Sequence, residues 1–158
     1  KAAKTAKAAG RKVALSLSDP FCVERHRDAF IELVDNHVNI LFANEDEITS
    51  LYQAKDFDAA LQQVRGHCDI AALTRGVKGP VVVAGDEVHV VDAEPVAEVV
   101  DTTGAGDAYA AGFLYALTRE APLEACARMG NIAAAEVIGH MGARPDVPLK
   151  DLIGPKLV

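Results

Sequence analysis

Short aliphatic runs alternate along this chain with longer stretches of helical character, and no other feature restricts its fold as much. Residues 12–17, 38–42, 70–73 and 81–84 read as strands, and residues 1–9, 23–34, 48–53, 58–65, 108–119 and 122–139 read as helices. Strand and helix in turn, with short links, predict an α/β fold in three layers: a mostly parallel sheet covered by helices on both faces. Gly85-Asp86-Glu87, between 81–84 and the apolar residues 88–91, predicts an antiparallel hairpin at one edge. Parallel strands open their carboxyl ends onto a crevice, so the loops after Phe42, Leu73 and Val100 are the places to look for a ligand.

The third of these loops is the most informative. Asp101-Thr102-Thr103-Gly104-Ala105-Gly106-Asp107 follows the apolar pair Val99-Val100, and its outline is strand, glycine turn, helix. Two glycines within three residues let consecutive N–H groups turn toward one point at the positive end of the following helix, an anion-binding arrangement. Asp107 adds a carboxylate beside that point, where it can take a proton from an attacking hydroxyl. Asp is also common in first helical turns as a cap, and Gly in βα loops, whatever the function. Two acids, two threonines and two glycines in seven residues exceed what a cap requires. The dinucleotide fingerprint wants glycine where Tyr109 stands, and the Gly-Lys-Ser/Thr of a P-loop is absent.

The loop after Phe42 holds Asn44-Glu45-Asp46-Glu47, a capping-box pattern worth roughly 1 kcal/mol and implying no chemistry by itself. Thr74-Arg75-Gly76-Val77-Lys78-Gly79, after Leu73, reads equally as a simple turn.

Residues 101–113, Asp101-Thr102-Thr103-Gly104-Ala105-Gly106-Asp107-Ala108-Tyr109-Ala110-Ala111-Gly112-Phe113, closely resemble the C-terminal signature of the ribokinase-like, or PfkB, family of carbohydrate and nucleoside kinases. Asn44-x-x-Glu47 resembles that family's N-x-x-E motif, and Thr74 to Gly79 its T-x-G-x-x-G loop. The resemblance implies a ribokinase-like, Rossmann-like fold of which residues 1–158 form only the C-terminal, nucleotide-binding and catalytic portion, the N-terminal part and lid being absent. It implies ATP-dependent phosphorylation of a hydroxymethyl group, with Asp107 as base and the amides of Gly104, Ala105 and Gly106 as the anion hole. It places Asn44, Thr74, Gly76, Gly79, Gly106 and Asn131 at the nucleotide, Asn131 near adenine. Asn44 and Glu47 would order Mg²⁺ through water, and Asp101, Thr103, Val137, His140, Gly142 and Asp146 would hold a monovalent cation, K⁺, largely through backbone oxygens. Residues 17–23 and 133–138 resemble a bacterial subgroup called adenosine kinase-like, which favours adenosine over ribose- or fructose-type sugars as acceptor. The alternative is a non-catalytic nucleotide-binding or interaction module derived from such a kinase, against which the intact Asp107 argues.

Composition narrows the partners. A net charge of −7, with Lys1, Lys4, Lys7, Arg11 and Lys12 spread between alanines and small residues rather than blocked, disfavours nucleic acid. No apolar run reaches membrane-spanning length. Three distant cysteines and five unpaired histidines suggest neither a disulfide framework nor a zinc site, which fits a reducing cytoplasm. The expected partner is a small sugar or nucleoside, with a homodimer for the full-length protein. The portion alone is expected to be inactive and to associate through open strand edges.

Overall fold

The apolar residues 40–43 of the run that follows Asn39 form the centre of a parallel three-strand block, buried as a central parallel strand is. A computed structural model describes residues 1–156. Strand β2 (Ile40–Asn44) lies between β1 (Ala14–Ser16) and β3 (Ile70–Thr74), parallel to both, with Ala14 opposite Ile40 and Ile40 opposite Ile70. Strands β4 (Val81–Ala84) and β5 (Glu87–Val90) complete a mixed, open five-stranded sheet in the order β1-β2-β3-β4-β5. Only Gly85 and Asp86 separate the last two strands, with Gly85 at φ +58°, so this edge is the expected hairpin.

The chain forms two compact units. The first comprises Lys1–Thr74 and Val82–Val88. In it, α1 (Ala2–Ala8) carries no buried residue, whereas α4 (Glu45–Tyr52) and α5 (Phe57–Val64) bury Ile48, Leu51, Phe57, Ala60 and Val64. β1 is shorter than the expected 12–17, although hydrogen bonding continues at both ends. The Leu17 N–H donates to the Phe42 carbonyl at 3.0 Å, and the Val13 N–H to Asn39 Oδ1 at 3.0 Å.

The single helix expected over 23–34 is two helices, α2 (Pro20–Arg25) and α3 (Arg27–Asn36), broken at His26 with φ −124° and ψ 28°. Asp19 starts the first one early. Its Oδ1 accepts the N–H of Phe21 at 2.6 Å and of Cys22 at 3.2 Å, with Pro20 at the first helical position. α2 packs on α4, and Arg27 Nε donates to the Leu51 carbonyl at 2.8 Å, fixing the break against the last turn of α4.

The second unit comprises Arg75–Val81 and the chain from His89 onward. It is built on α6 (Ala105–Leu117) and α7 (Leu123–Ile138), with α8 (Leu149–Ile153) behind them. The two long helices cross at glycines. A Cβ on Gly112 would come within 2.5 Å of the Met129 carbonyl oxygen, and one on Gly130 within 2.7 Å of the Tyr109 ring. Leu149 packs on the buried Ala108, Ala133 and Val137.

Two expectations for this unit need correction. The strand expected at Val99-Val100 ahead of the glycine turn does not form: a strand requires a ladder, whereas the Val100 and Asp101 N–H groups both turn to the Ile138 carbonyl, and Val99 and Val100 are exposed. Helix α6 begins at Ala105 rather than Ala108. Gly104 makes the turn alone at φ +80° and its carbonyl accepts the Ala108 N–H at 2.9 Å, so Gly106 and Asp107 stand inside the first turn.

Candidate functional site

In the first unit, the predicted residues Asn44 and Thr74 face each other across the carboxyl ends of β2 and β3. Thr74 Oγ1 reaches the Ala43 carbonyl at 3.5 Å. The capping box forms completely. Asn44 Oδ1 accepts the Glu47 N–H at 2.8 Å, Glu47 Oε2 accepts the Asn44 N–H at 2.9 Å, and Asn44 Nδ2 donates to Glu47 Oε1 at 2.9 Å. Glu47 is only 6% exposed. Burial raises its pKa, the Asn44 N–H opposes that shift, and the neighbouring charges of Asp19 and Asp46 add to it.

These hard oxygen donors suit Mg²⁺ by type. Both Glu47 oxygens already accept from Asn44, and no group of three or more His, Cys, Asp or Glu side chains among the described residues forms a metal cage. The donor set therefore fits an ion held through water and phosphate oxygens.

In the second unit, Gly76–Lys78 forms one 3₁₀ turn that Arg75 staples from within: Nε donates to the Gly79 carbonyl at 3.1 Å and Nη2 to that of Lys78 at 3.2 Å. Gly76 (φ +53°) has open space where a Cβ would be. Gly79 (φ +74°) has none, since a Cβ would collide with the Val91 carbonyl. Asn131 Nδ2 donates to the Asp92 carbonyl at 2.7 Å, supporting the backbone on which Gly79 rests.

The signature loop is organised by Asp101. Its Oδ1 accepts the hydroxyl of Thr103 at 2.7 Å and its N–H at 2.9 Å, and its Oδ2 accepts the Gly142 N–H at 2.9 Å. The Thr103 hydroxyl and amide, then the Gly142 amide, pull the carboxyl down to about 2. Gly104 is pressed on the following loop, where a Cβ would lie 2.7 Å from that of Ala143. Gly106 is the opposite case: nothing lies within 4 Å of where its Cβ would be, at the amino end of α6, with Asp107 exposed beside it. At this helix start the Ala105 N–H is taken by the Thr102 carbonyl at 3.2 Å, and the open space over Gly106 beyond it is a cradle of the kind that fits phosphate.

Five of the six residues assigned to the monovalent cation come together around Asp101, namely Asp101 itself, Thr103, His140, Gly142 and Asp146. The side chain of Val137 is buried in the core, and its assignment concerned its backbone oxygen alone. His140 Nδ1 lies 3.8 Å from Asp146 Oδ2. Sequence reasoning missed Glu136, whose Oε1 accepts the Asp146 N–H at 2.9 Å and stands 3.4 Å from His140 Nε2. Its spacing four before His140, at a helix end, was the available signal. The Met141 carbonyl, and then Glu136 and Asp146, hold the His140 pKa above its ordinary value against the effect of burial.

No helix among the described residues is long and apolar enough to cross a membrane. The model of the pfkB family carbohydrate kinases matches residues 1–150. A solved adenosine kinase from Sinorhizobium meliloti is 47% identical and superposes with a TM-score of 0.93, covering 98% of this chain and 48% of its own. A probable sugar kinase from Rhizobium etli is 43% identical with a TM-score of 0.93, over 99% of this chain and 48% of that one. Among curated proteins, a cytidine kinase from Thermococcus kodakarensis is 36% identical over 138 residues, 84% of this chain and 49% of that protein. The chain thus spans about half the length of the relatives it matches.

Proposed function

Because this chain belongs to the pfkB family of carbohydrate kinases, we propose that it is the nucleotide-binding and catalytic portion of an ATP-dependent cytoplasmic kinase acting on a hydroxymethyl group of a sugar or nucleoside. Adenosine is favoured over ribose- or fructose-type acceptors, a preference supported by 47% identity to an adenosine kinase. The observation that carries the reading is the open cradle over Gly106 at the amino end of α6, with Asp107 exposed in the same turn.

Asp107 takes the proton of the acceptor hydroxyl as that oxygen bonds to the γ-phosphorus. The bond from the γ-phosphorus to its bridging oxygen breaks, and ADP leaves with the electron pair. The amides of Gly104, Ala105 and Gly106, that of Ala105 shared with the Thr102 carbonyl, stabilise charge on the equatorial oxygens. Thr74, Gly76 and Gly79 hold the nucleotide, and Asn131 acts on it through the 92–93 backbone it supports. Bound Mg²⁺ would screen the phosphate charge, with Asn44 and Glu47 ordering its waters. The Asp101 cluster, with Thr103, His140, Gly142 and Asp146, would hold K⁺ beside the anion hole.

The test is a calorimetric titration of Mg·ATP into the full-length protein in potassium buffer, with NAD as the control. Saturable ATP binding without NAD binding is expected. A folded protein that ignores ATP overturns the reading.

A further inference from the structure

Residues 139–147 follow α7 and close on the Asp101–Gly104 turn at two points: the Gly142 N–H donates to Asp101, and Ala143 sits under Gly104. What holds this loop to α7 is Glu136. Its Oε1 accepts the Asp146 N–H at 2.9 Å and faces His140 Nε2 at 3.4 Å, in a side chain only 13% exposed. Its other oxygen, Oε2, is buried and has no hydrogen-bond partner among the described residues. A buried carboxylate oxygen left without a donor destabilises a fold, and a neutral side chain of similar length would relieve that cost. Such a cost is characteristic of places where function sets the side chain.

Building on the kinase reading above, we propose that Glu136 is a positioning residue for phosphoryl transfer. It clamps the 139–147 loop against the Asp101–Gly104 turn and thereby fixes the direction of the first amides of α6 and the place of Asp107. It touches no reacting atom. Its effect runs through Asp146, Gly142 and Asp101, so it should appear in turnover more than in acceptor binding.

The full-length protein is compared with its Glu136→Met and Glu136→Gln variants. Gln keeps an acceptor oxygen for the Asp146 N–H, while Met has none but preserves length and helical preference. For Glu136→Met, a melting temperature equal to or above wild type is expected, with kcat lowered about tenfold or more and acceptor KM little changed, since small displacements at a reacting centre cost on that scale. Amide exchange at Gly142 and Asp146 should quicken in the same variant, and Glu136→Gln should recover most of both losses. Wild-type turnover in Glu136→Met overturns the proposal, as does a loss that merely tracks a fallen melting temperature, or a Gln variant no better than Met. If the wild-type protein transfers no phosphoryl group, the kinase reading fails. Amide exchange then judges the clamp separately: unchanged exchange at Gly142 in Glu136→Met refutes it, and faster exchange upholds it.

Discussion

Glu47 and Asp101 are both acids in loops expected to meet phosphate, yet their surroundings treat them in opposite ways. Glu47 is buried, its hydrogen bonds close within four residues, and burial pushes its carboxyl up. Asp101 accepts from Thr103 nearby and from Gly142 forty-one residues away, and its carboxyl is pulled down. The first completes a helix start and can act on a ligand only at one remove, through water. The second shapes a turn and leaves its neighbours Gly106 and Asp107 open to solvent. The chemistry should therefore depend steeply on the second region and weakly on the first.

The largest effect should come from Asp107→Asn in the full-length enzyme. Removing a positioned base lowers kcat by about 10²–10⁴-fold, or about 3–5 kcal/mol, with ATP affinity nearly unchanged. Steady-state rates and a binding titration on the same variant check this, and near-normal turnover would remove Asp107 from the mechanism.

The two signature glycines sharpen the contrast within one turn. Gly104→Ala faces both a positive φ and Ala143, so a loss on the order of 1–3 kcal/mol in denaturant unfolding is expected. Gly106→Ala meets open space in a helical turn and should hold or gain about 0.5–1 kcal/mol while weakening ATP binding. Equal stability effects at the two positions would contradict this account of the loop.

In the first region, Asn44→Ala should cost about 0.5–2 kcal/mol through loss of the cap, visible as a lower urea midpoint, with a smaller change in turnover than in the signature-loop variants.

The smallest effects are in pH dependence, and their signs oppose. Asp101 has a depressed carboxyl, so its contribution to stability is complete above its ordinary 3.8 and disappears as pH falls toward about 2. Glu47 has a raised one, so its contribution is complete below its ordinary 4.5 and is lost as pH rises through the raised value. Acid unfolding curves of Asp101→Asn and Glu47→Gln should shift in opposite senses against wild type. Parallel shifts would mean that the two acids share one environment after all.

This difference in range also explains what could be read in the sequence. The capping box, the hairpin at Gly85-Asp86 and the parallel order of β1 to β3 follow from neighbours within a few residues or from apolar runs, and they formed as expected. The break at His26 is held by Arg27 reaching Leu51, and the missing strand at Val99-Val100 depends on where α7 ends. Neither is a property of the local sequence. Asp101 and Gly142 are likewise separated by most of two helices, so their bond was out of reach even though both had been picked out by resemblance.

The crossing of α6 and α7 at Gly112 and Gly130 has a consequence for redesign. With the backbone of one helix lying against the other, neither can roll or slide without driving a ring or a carbonyl into its neighbour. The spacing between the pair is thus a fixed gauge, set at Tyr109 and Gly112, within about a turn and a half of Asp107 along α6. A library aimed at new acceptors can vary the rim freely, but must leave these two glycines untouched if the working end of α6 is to keep its register.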